Sequence, residues 1–370
     1  MASMLGLANR RPLSVVVIGA GTMGVSIAYH LAKRGAQVAV LDRSAPGGGA
    51  TQGAFAMLIA THDGDRAFND LYGLAVGDWR RLQRELPALQ IQWGGTCSWA
   101  APGPAADAIA ASTSRLRDWG ASIRPMNAGD LERLVPGVAP GPFGAGAFSP
   151  EQGTLDPSQA HAALLAAANR LGVRVRTPCE AQGFDVAGGT IRSVRTASGD
   201  IRADMFVLAA GVDSPSLAGP LGVKTPIDVV SGTLAHSAPH PRALQRVLNG
   251  PAGSLKQDPD RRIVIGPDYR PGANGTDISP AYGEQLLVSA SKVLPALEGA
   301  RLERMTLGFV AIPKDSHPIV GFCAEPSNLY VAVTMSGITM APLMGRFAAN
   351  EIVGGLSVDR LAAYRPSRFA

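Results

Sequence analysis

Residues 14–42, SVVVIGAGTMGVSIAYHLAKRGAQVAVLD, restrict what this chain can fold into more than any other stretch. Val15, Val16, Val17 and Ile18 form a β-branched run with no polar break, as a fully buried parallel strand requires. Gly19-Ala20-Gly21-Thr22-Met23-Gly24 follows as G-x-G-x-x-G. The first glycine permits a tight turn, the second lets a pyrophosphate approach the backbone, and the third allows close helix–strand packing. Ile27, Ala28, Leu31 and Ala32 then keep helical spacing up to a stop near Gly35. A second strand over 37–41 leads into Asp42, a carboxylate placed to hydrogen-bond the ribose of an adenine dinucleotide. The glycine pattern alone is common. Set between strand, helix, second strand and acid, it specifies a dinucleotide site rather than an unliganded turn. It does not choose between FAD and NAD.

Composition narrows the class. The 370 residues suit two interleaved domains or one large one, with ample length to bury a core. With 46% apolar and 17% charged residues, this is an ordinary soluble enzyme rather than a disordered or fibrous chain. The net charge of +5 is spread without a polybasic run, which argues against a nucleic-acid partner. Cys97, Cys179 and Cys323 are far apart and form no C-x-x-C, so neither a zinc site nor a disulfide framework is indicated. A reducing cytoplasm is the simplest setting, and no metal is expected. No run reaches the roughly eighteen apolar residues of a membrane span. Arg10-Arg11 resembles a twin-arginine export signal only superficially, because the apolar run behind it is already the first strand.

After Asp42 and Arg43 comes a glycine-rich loop through Gly47-Gly48-Gly49, Thr51, Gly53 and Ala54, suited to lying against a phosphate or ring. Taken alone it also fits a flexible surface loop; its position directly after the ribose acid favours the first role. Helices are expected at 69–86, 105–119 and 126–135, with an extended stretch at 91–101. This middle region breaks the βα alternation that a plain NAD-binding domain continues. The pattern resumes with a helix from 157 or 158 to 171, a strand from 173, a hairpin at 191–203, and an apolar strand over 204–211. That last strand ends in the small residues Ala209, Ala210 and Gly211, as a strand tip meeting a ligand needs. Strands at 228–235, 262–266 and 302–312 follow, with a helix at 280–294. A strand at 329–334 and a helix at 341–353 close the pattern. Between these two, Met335-Ser336-Gly337-Ile338-Thr339 is a second junction whose N–H groups suit an electron-rich ring atom.

The order of these features resembles a family. G-A-G-x-M-G with a ribose acid, a glycine-rich loop, G-T-L-D-P before a helix, a strand ending A-A-G-x-x-S, P-x-D-x-x-P-I-x-G and S-G-I-T-x-A-P together look like the FAD-dependent D-amino-acid oxidase, glycine oxidase and sarcosine oxidase superfamily. The resemblance runs from Ser14 to about Gly354. It implies an α/β, two-domain fold: a split Rossmann-type FAD-binding domain (13–80, 150–225, 326–358) and an antiparallel-sheet substrate domain (81–149, 226–325). Carried over, Gly19, Gly21, Gly24, Asp42 and Arg43 hold the adenosine half of FAD. Thr51, Gly53 and Ala54 line its flavin side, and Ala181 meets adenine through backbone atoms. Ala209, Ala210 and Gly211 pack beside the dinucleotide, while Gly337, Ile338 and Thr339 face the ring's oxygen end. The implied reaction is oxidation of a C–N bond in a small amine or amino-acid-like substrate by hydride transfer to the flavin. Oxygen or another carrier is the electron acceptor.

Two departures qualify the resemblance. The family's amino-acid oxidases pair the substrate carboxylate with an arginine where Val310 stands here. Lys256 is the first candidate to replace it, with Arg304 and Lys314 behind, although a solvated surface lysine is the commoner situation. Met335 is the third substrate-side candidate. Gly308 stands where sarcosine oxidases carry a flavin-linking cysteine, so FAD is expected to be non-covalent. Val264 stands where they carry a lysine that speeds the reaction with oxygen, which leaves a dehydrogenase open. His317, His236, His240 and His161 have no metal-ligand spacing and read as loop or packing residues. Met335 and Met340 read as packing, and Tyr269 and Tyr282 as residues within possible reach of a substrate. A flavoenzyme acting on a C–O bond, an NAD-dependent dehydrogenase and a non-enzymatic FAD subunit are the alternatives.

Overall fold

The computed structural model describes residues 11–241, 244–266 and 275–370. Arg10 and Tyr269 lie outside these residues.

The β-branched run Ser14–Ile18 is the middle of a six-stranded sheet in the order Ile319–Phe322, Leu329–Val333, Met205–Leu208, Ser14–Ile18, Gln37–Leu41 and Arg174–Arg176. All neighbours are parallel except the edge strand Ile319–Phe322. Alternation sorts the two faces. Val15, Val17, Val38, Val40 and Val207 pack under helices, while Val16, Ile18, Phe206 and Leu208 pack against Phe184, Ile191 and Val194 of an antiparallel three-stranded sheet. Helices Thr22–Lys33, Arg66–Glu85, Pro157–Arg170 and Gly337–Ile352 cover the first face. Ile319–Phe322, which the expected boundary puts with the second domain, is an edge of this sheet.

The second sheet has eight strands in the order Leu302–Pro313, Ile227–Pro239, Arg262–Gly266, Gly253–Gln257, Val247–Gly250, Thr96–Ala100, Ala145–Ser149 and Arg124–Met126. Only the join of Val247–Gly250 to Thr96–Ala100 is parallel. One face, with Ala235, Leu255, Ile263 and Ile265, packs on helix Pro280–Val293. The other carries Leu234, Val247 and Val264 against Phe55 of the glycine-rich loop. Met57–Leu58, Gly153–Leu155 and Ile91–Gln92 form a small antiparallel sheet of their own.

One helix starts earlier than the pattern predicts. Gly337–Ile352 begins four residues before 341 and carries Pro342 inside it. Proline has no N–H to give to Ile338 O, the acceptor four residues back. The indole Nε1 of Trp79 donates to that carbonyl at 3.0 Å instead. A side chain from another helix thus replaces the missing backbone donor.

Candidate functional site

The three glycines of the first turn have separate physical jobs. Gly19 has φ 108°, and a β-carbon there would run into the carbonyl of Ala209. A β-carbon on Gly24 would run into the carbonyl of Gly19. These two positions are fixed by packing. A β-carbon on Gly21 would meet nothing nearer than Thr51 Oγ1, at 3.6 Å. This side of the turn is therefore open, at the N-cap of Thr22–Lys33, a glycine with no side chain of its own to cap the helix. Thr51 reaches back to the helix, its Oγ1 accepting from the N–H of Thr22 at 3.1 Å.

Asp42 organises the neighbouring wall. One carboxylate oxygen accepts from Ala20 N at 2.7 Å, the other from Ser44 N at 2.9 Å. The Ser44 hydroxyl also donates to that second oxygen at 3.1 Å, so the spare acceptor capacity is on the oxygen facing Ala20 N. The carbonyl of Asp42 accepts from Cys179 N at 2.6 Å, which brings the 179–181 segment and half-buried Ala181 to the same place. Ala209 N donates to Ile18 O at 2.8 Å, so the 209–211 tip lies directly beside the turn. Arg43 is exposed and paired with Asp213 at 2.8 Å.

The second junction is built from three directions. Ser336 is the N-cap of Gly337–Ile352 but makes no side-chain cap bond. Its hydroxyl instead meets Tyr72 OH at 2.7 Å. Trp79, one helical stripe along from Tyr72, holds the carbonyls of Ile338 and Thr339. Thr339 is buried, and its hydroxyl donates to Met57 O at 3.1 Å, so the side chain secures the loop rather than lining the crevice. Gly337 meets nothing within 4 Å of a β-carbon, leaving the helix start open. Met335 is half-buried beside it, and Met340 is core. Burial pushes the Tyr72 phenol up to about 12, so it acts as a neutral hydrogen-bonding group.

The eight-stranded sheet closes over the glycine-rich loop. A β-carbon on Gly53 would lie 2.5 Å from Gly308 Cα, so two backbones touch there and a side chain at 308 has no room. Gly53 is buried and Ala54 half-buried in the same loop. Val310, two residues along from Gly308 and on the same strand face, is half-buried and pairs with Val230.

Lys256 corrects the sequence reading. It is not solvated: it is 1% exposed and lies opposite Val264, on the face turned to Phe55. Its ammonium is 2.6 Å from Asp258 Oδ1 and donates to Leu155 O at 2.7 Å. A carboxylate partner already neutralises it, which removes the free cation that an anchor for a substrate carboxylate requires. Burial raises the Asp258 carboxyl to about 6, outweighing the lysine's pull in the other direction. His236 follows in the same cross-strand row beyond Val264, with Nε2 3.0 Å from Thr306 Oγ1. Burial first, and the charges of Arg304 and Lys256 next, lower it to about 4.

Sequence reasoning missed Tyr72, Trp79 and the Lys256–Asp258 pair. The first two lie on a helix whose apolar stripe was legible, but their polar tips carry no periodic signal. Asp258 is two residues from Lys256, a spacing that says nothing until the strand ends between them. His317 sits in a turn, as expected, and its Nε2 is 2.8 Å from Asp65 Oδ2. Asp156 caps its helix through Ser158 N and Gln159 N.

An open glycine at one helix N-terminus, a carboxylate with spare acceptor capacity and a second open helix start fit a dinucleotide with phosphates near one end and a ring near the other. A largely parallel sheet with helices on one face, joined in one chain to a large antiparallel sheet, suits a dinucleotide-binding oxidoreductase. The family model described as DAO, FAD dependent oxidoreductase, matches residues 14–351, and the chain belongs to that family. It is 26% identical over 373 residues to a glycine oxidase of Bacillus licheniformis, covering 97% of this chain and 98% of that one. Among solved structures it is similar to glycine oxidase from Geobacillus kaustophilus, with TM-score 0.88, 22% identity, and 97% and 99% of the two chains covered. It is also similar to L-proline dehydrogenase from P. horikoshii, with TM-score 0.86, 24% identity and 98% of each chain covered. The protein is an FAD-dependent oxidoreductase. Among the described residues, no helix is long and apolar enough to cross a membrane.

Proposed function

We propose that this enzyme oxidises the C–N bond of a small amine or amino-acid-like substrate, with FAD held non-covalently. The observation that carries this reading is the pair of open helix starts, at Gly21 and Gly337, in a chain of the DAO family. Bound FAD supplies the hydride acceptor.

The chain's own residues bind, orient and exclude water. Gly21 N–H and its neighbours take the pyrophosphate, Asp42 takes ribose hydroxyls, and Ala181 and Ala209–Gly211 form the walls around them. Thr51, Gly53 and Ala54 lie along the ring side of the loop. The N–H groups of Gly337, Ile338 and Thr339 would hold the ring's oxygen end, a helix start suited to negative charge. Tyr72 and Trp79 fix that helix start. Val310 and Met335 present an apolar surface where the substrate lies, which favours the neutral amine over the ammonium. No side-chain base is needed when the amine binds unprotonated. Gly53 fills the room beside Gly308, consistent with a cofactor that is not tethered there.

The test is an anaerobic panel of amines, amino acids and 2-hydroxy acids, followed by the visible flavin band of the purified protein. Bleaching by amines or amino acids is expected. Bleaching by hydroxy acids alone replaces C–N with C–O oxidation. Mixing the reduced protein with oxygen, and separately with an artificial carrier, then identifies the electron acceptor.

A further inference from the structure

Among the described residues other than glycine, Ala56, Arg261 and Ser316 have positive φ, and only Ala56 is buried. Its φ of 59° is a left-handed conformation that the β-carbon of an L residue opposes, so it persists only where the surroundings fix it. Ala56 stands two residues past Ala54, where the glycine-rich loop becomes the strand Met57–Leu58. Its carbonyl is held twice, by Leu155 N at 3.3 Å and by Thr154 Oγ1 at 3.2 Å. Leu155 is held in turn by Lys256, whose ammonium donates to Leu155 O at 2.7 Å and is fixed by Asp258 at 2.6 Å. The same ammonium lies 5.6 Å from the centre of the ring of Phe55, the residue before Ala56. Two contacts from one buried cation therefore converge on this end of the loop. The other end is fixed by Thr51, whose Oγ1 accepts from Thr22 N at 3.1 Å at the open helix start. A cation with a carboxylate already on it does not serve a substrate anion, and an apolar side chain fills such a place without the desolvation cost.

We infer that Lys256 is a positioning residue: through Leu155 and Phe55 it holds Ala56 in its left-handed conformation, and so sets the Thr51–Ala54 loop for FAD. The inference rests on non-covalent FAD lying along that loop. Nothing in the sequence shows it, because Ala56, Leu155 and Lys256 are distant along the chain and meet only in the fold.

Its test is calorimetric titration of FAD into the full chain stripped of cofactor, for wild type, Lys256→Met/Asp258→Leu, and that variant with Ala56→Gly added. The paired change removes the ammonium without stranding the carboxylate. A loop released from its clamp, in the binding form about one time in ten, binds FAD about tenfold more weakly. Glycine adopts φ 59° unaided, so adding Ala56→Gly recovers most of the loss. A paired variant that binds FAD within about twofold of wild type makes Lys256–Asp258 a packing unit and overturns the inference. A triple variant as weak as the paired one overturns it too, since the effect then does not pass through Ala56. Wild type that takes up no FAD after stripping contradicts the reversible cofactor site itself, and the inference with it. If circular dichroism shows the apolar pair unfolded, Lys256→Met/Asp258→Asn with and without Ala56→Gly makes the same comparison.

Discussion

The first glycine turn and the buried row of the eight-stranded sheet are built on opposite terms. The turn uses backbone: Gly19 and Gly24 are fixed by collisions with carbonyls, and Gly21 is left open. The sheet uses side chains that burial has altered, with Lys256 paired to Asp258 and His236 driven to neutrality. Backbone jobs leave a mark in sequence because only glycine performs them. A buried charge pair leaves none, because lysine and aspartate are ordinary surface residues until the fold hides them.

The largest effects should separate the glycines. Gly24→Ala forces a β-carbon into the Gly19 carbonyl and is expected to lower stability by about 3 kcal/mol or more. Gly21→Leu should leave the stability of the cofactor-free protein nearly unchanged while cutting flavin content at least ~100-fold, as backbone approach to the pyrophosphate is blocked. Thermal unfolding beside the flavin-to-protein absorbance ratio reads both. A Gly21→Leu protein that purified with full flavin would end this account of the turn.

On the sheet side, Lys256→Met strands a buried carboxylate and is expected to cost about 3–5 kcal/mol in urea unfolding. Adding Asp258→Leu should return stability to within about 1 kcal/mol of wild type. Equal losses in the single and double variants would mean that the pair is not the buried unit described.

Smaller effects are expected at the second helix start. Trp79→Phe removes the donor that replaces the one Pro342 lacks and should cost about 1–3 kcal/mol. Tyr72→Phe should cost about 1 kcal/mol through the lost contact with Ser336.

The last effect is that of pH, spread over several units. His30, whose Nδ1 faces Ser26 O and whose Nε2 faces Arg81, is lowered by burial from 6.5 to about 4, and His236 similarly. Between those values the unfolded chain holds protons that the native one does not. Stability should therefore fall as pH drops from 6.5 to about 4, by up to about 1.4 kcal/mol per pH unit for each histidine. Asp258 acts in the opposite sense: its carboxyl is raised to about 6, so its contribution increases as pH falls through that value. Urea unfolding at pH 7 and pH 5 should show the histidine loss more clearly once Lys256→Met/Asp258→Leu has removed the opposing group.

Much of the cofactor side was legible because its signals are local. The run Val15–Ile18, the glycine spacing and Asp42 lie within thirty residues and point to one βαβ unit. Strand Arg262–Gly266 and the helix starting at Pro157 were equally local. What stayed hidden depends on distant elements meeting. Trp79 serves a carbonyl some 260 residues away, Gly53 touches Gly308, and Lys256 reaches Leu155. The early start of the helix at Gly337 belongs with these, since the carbonyl that Pro342 leaves free is met by Trp79.

The central claim is that one crevice, between the glycine turn and the helix start at Gly337, holds FAD without a covalent bond. The visible spectrum of the purified protein, repeated on the supernatant after acid precipitation, tests it most directly. Flavin bands are expected to pass entirely into the supernatant. Flavin retained in the pellet, or a colourless protein that FAD does not reconstitute, would contradict it.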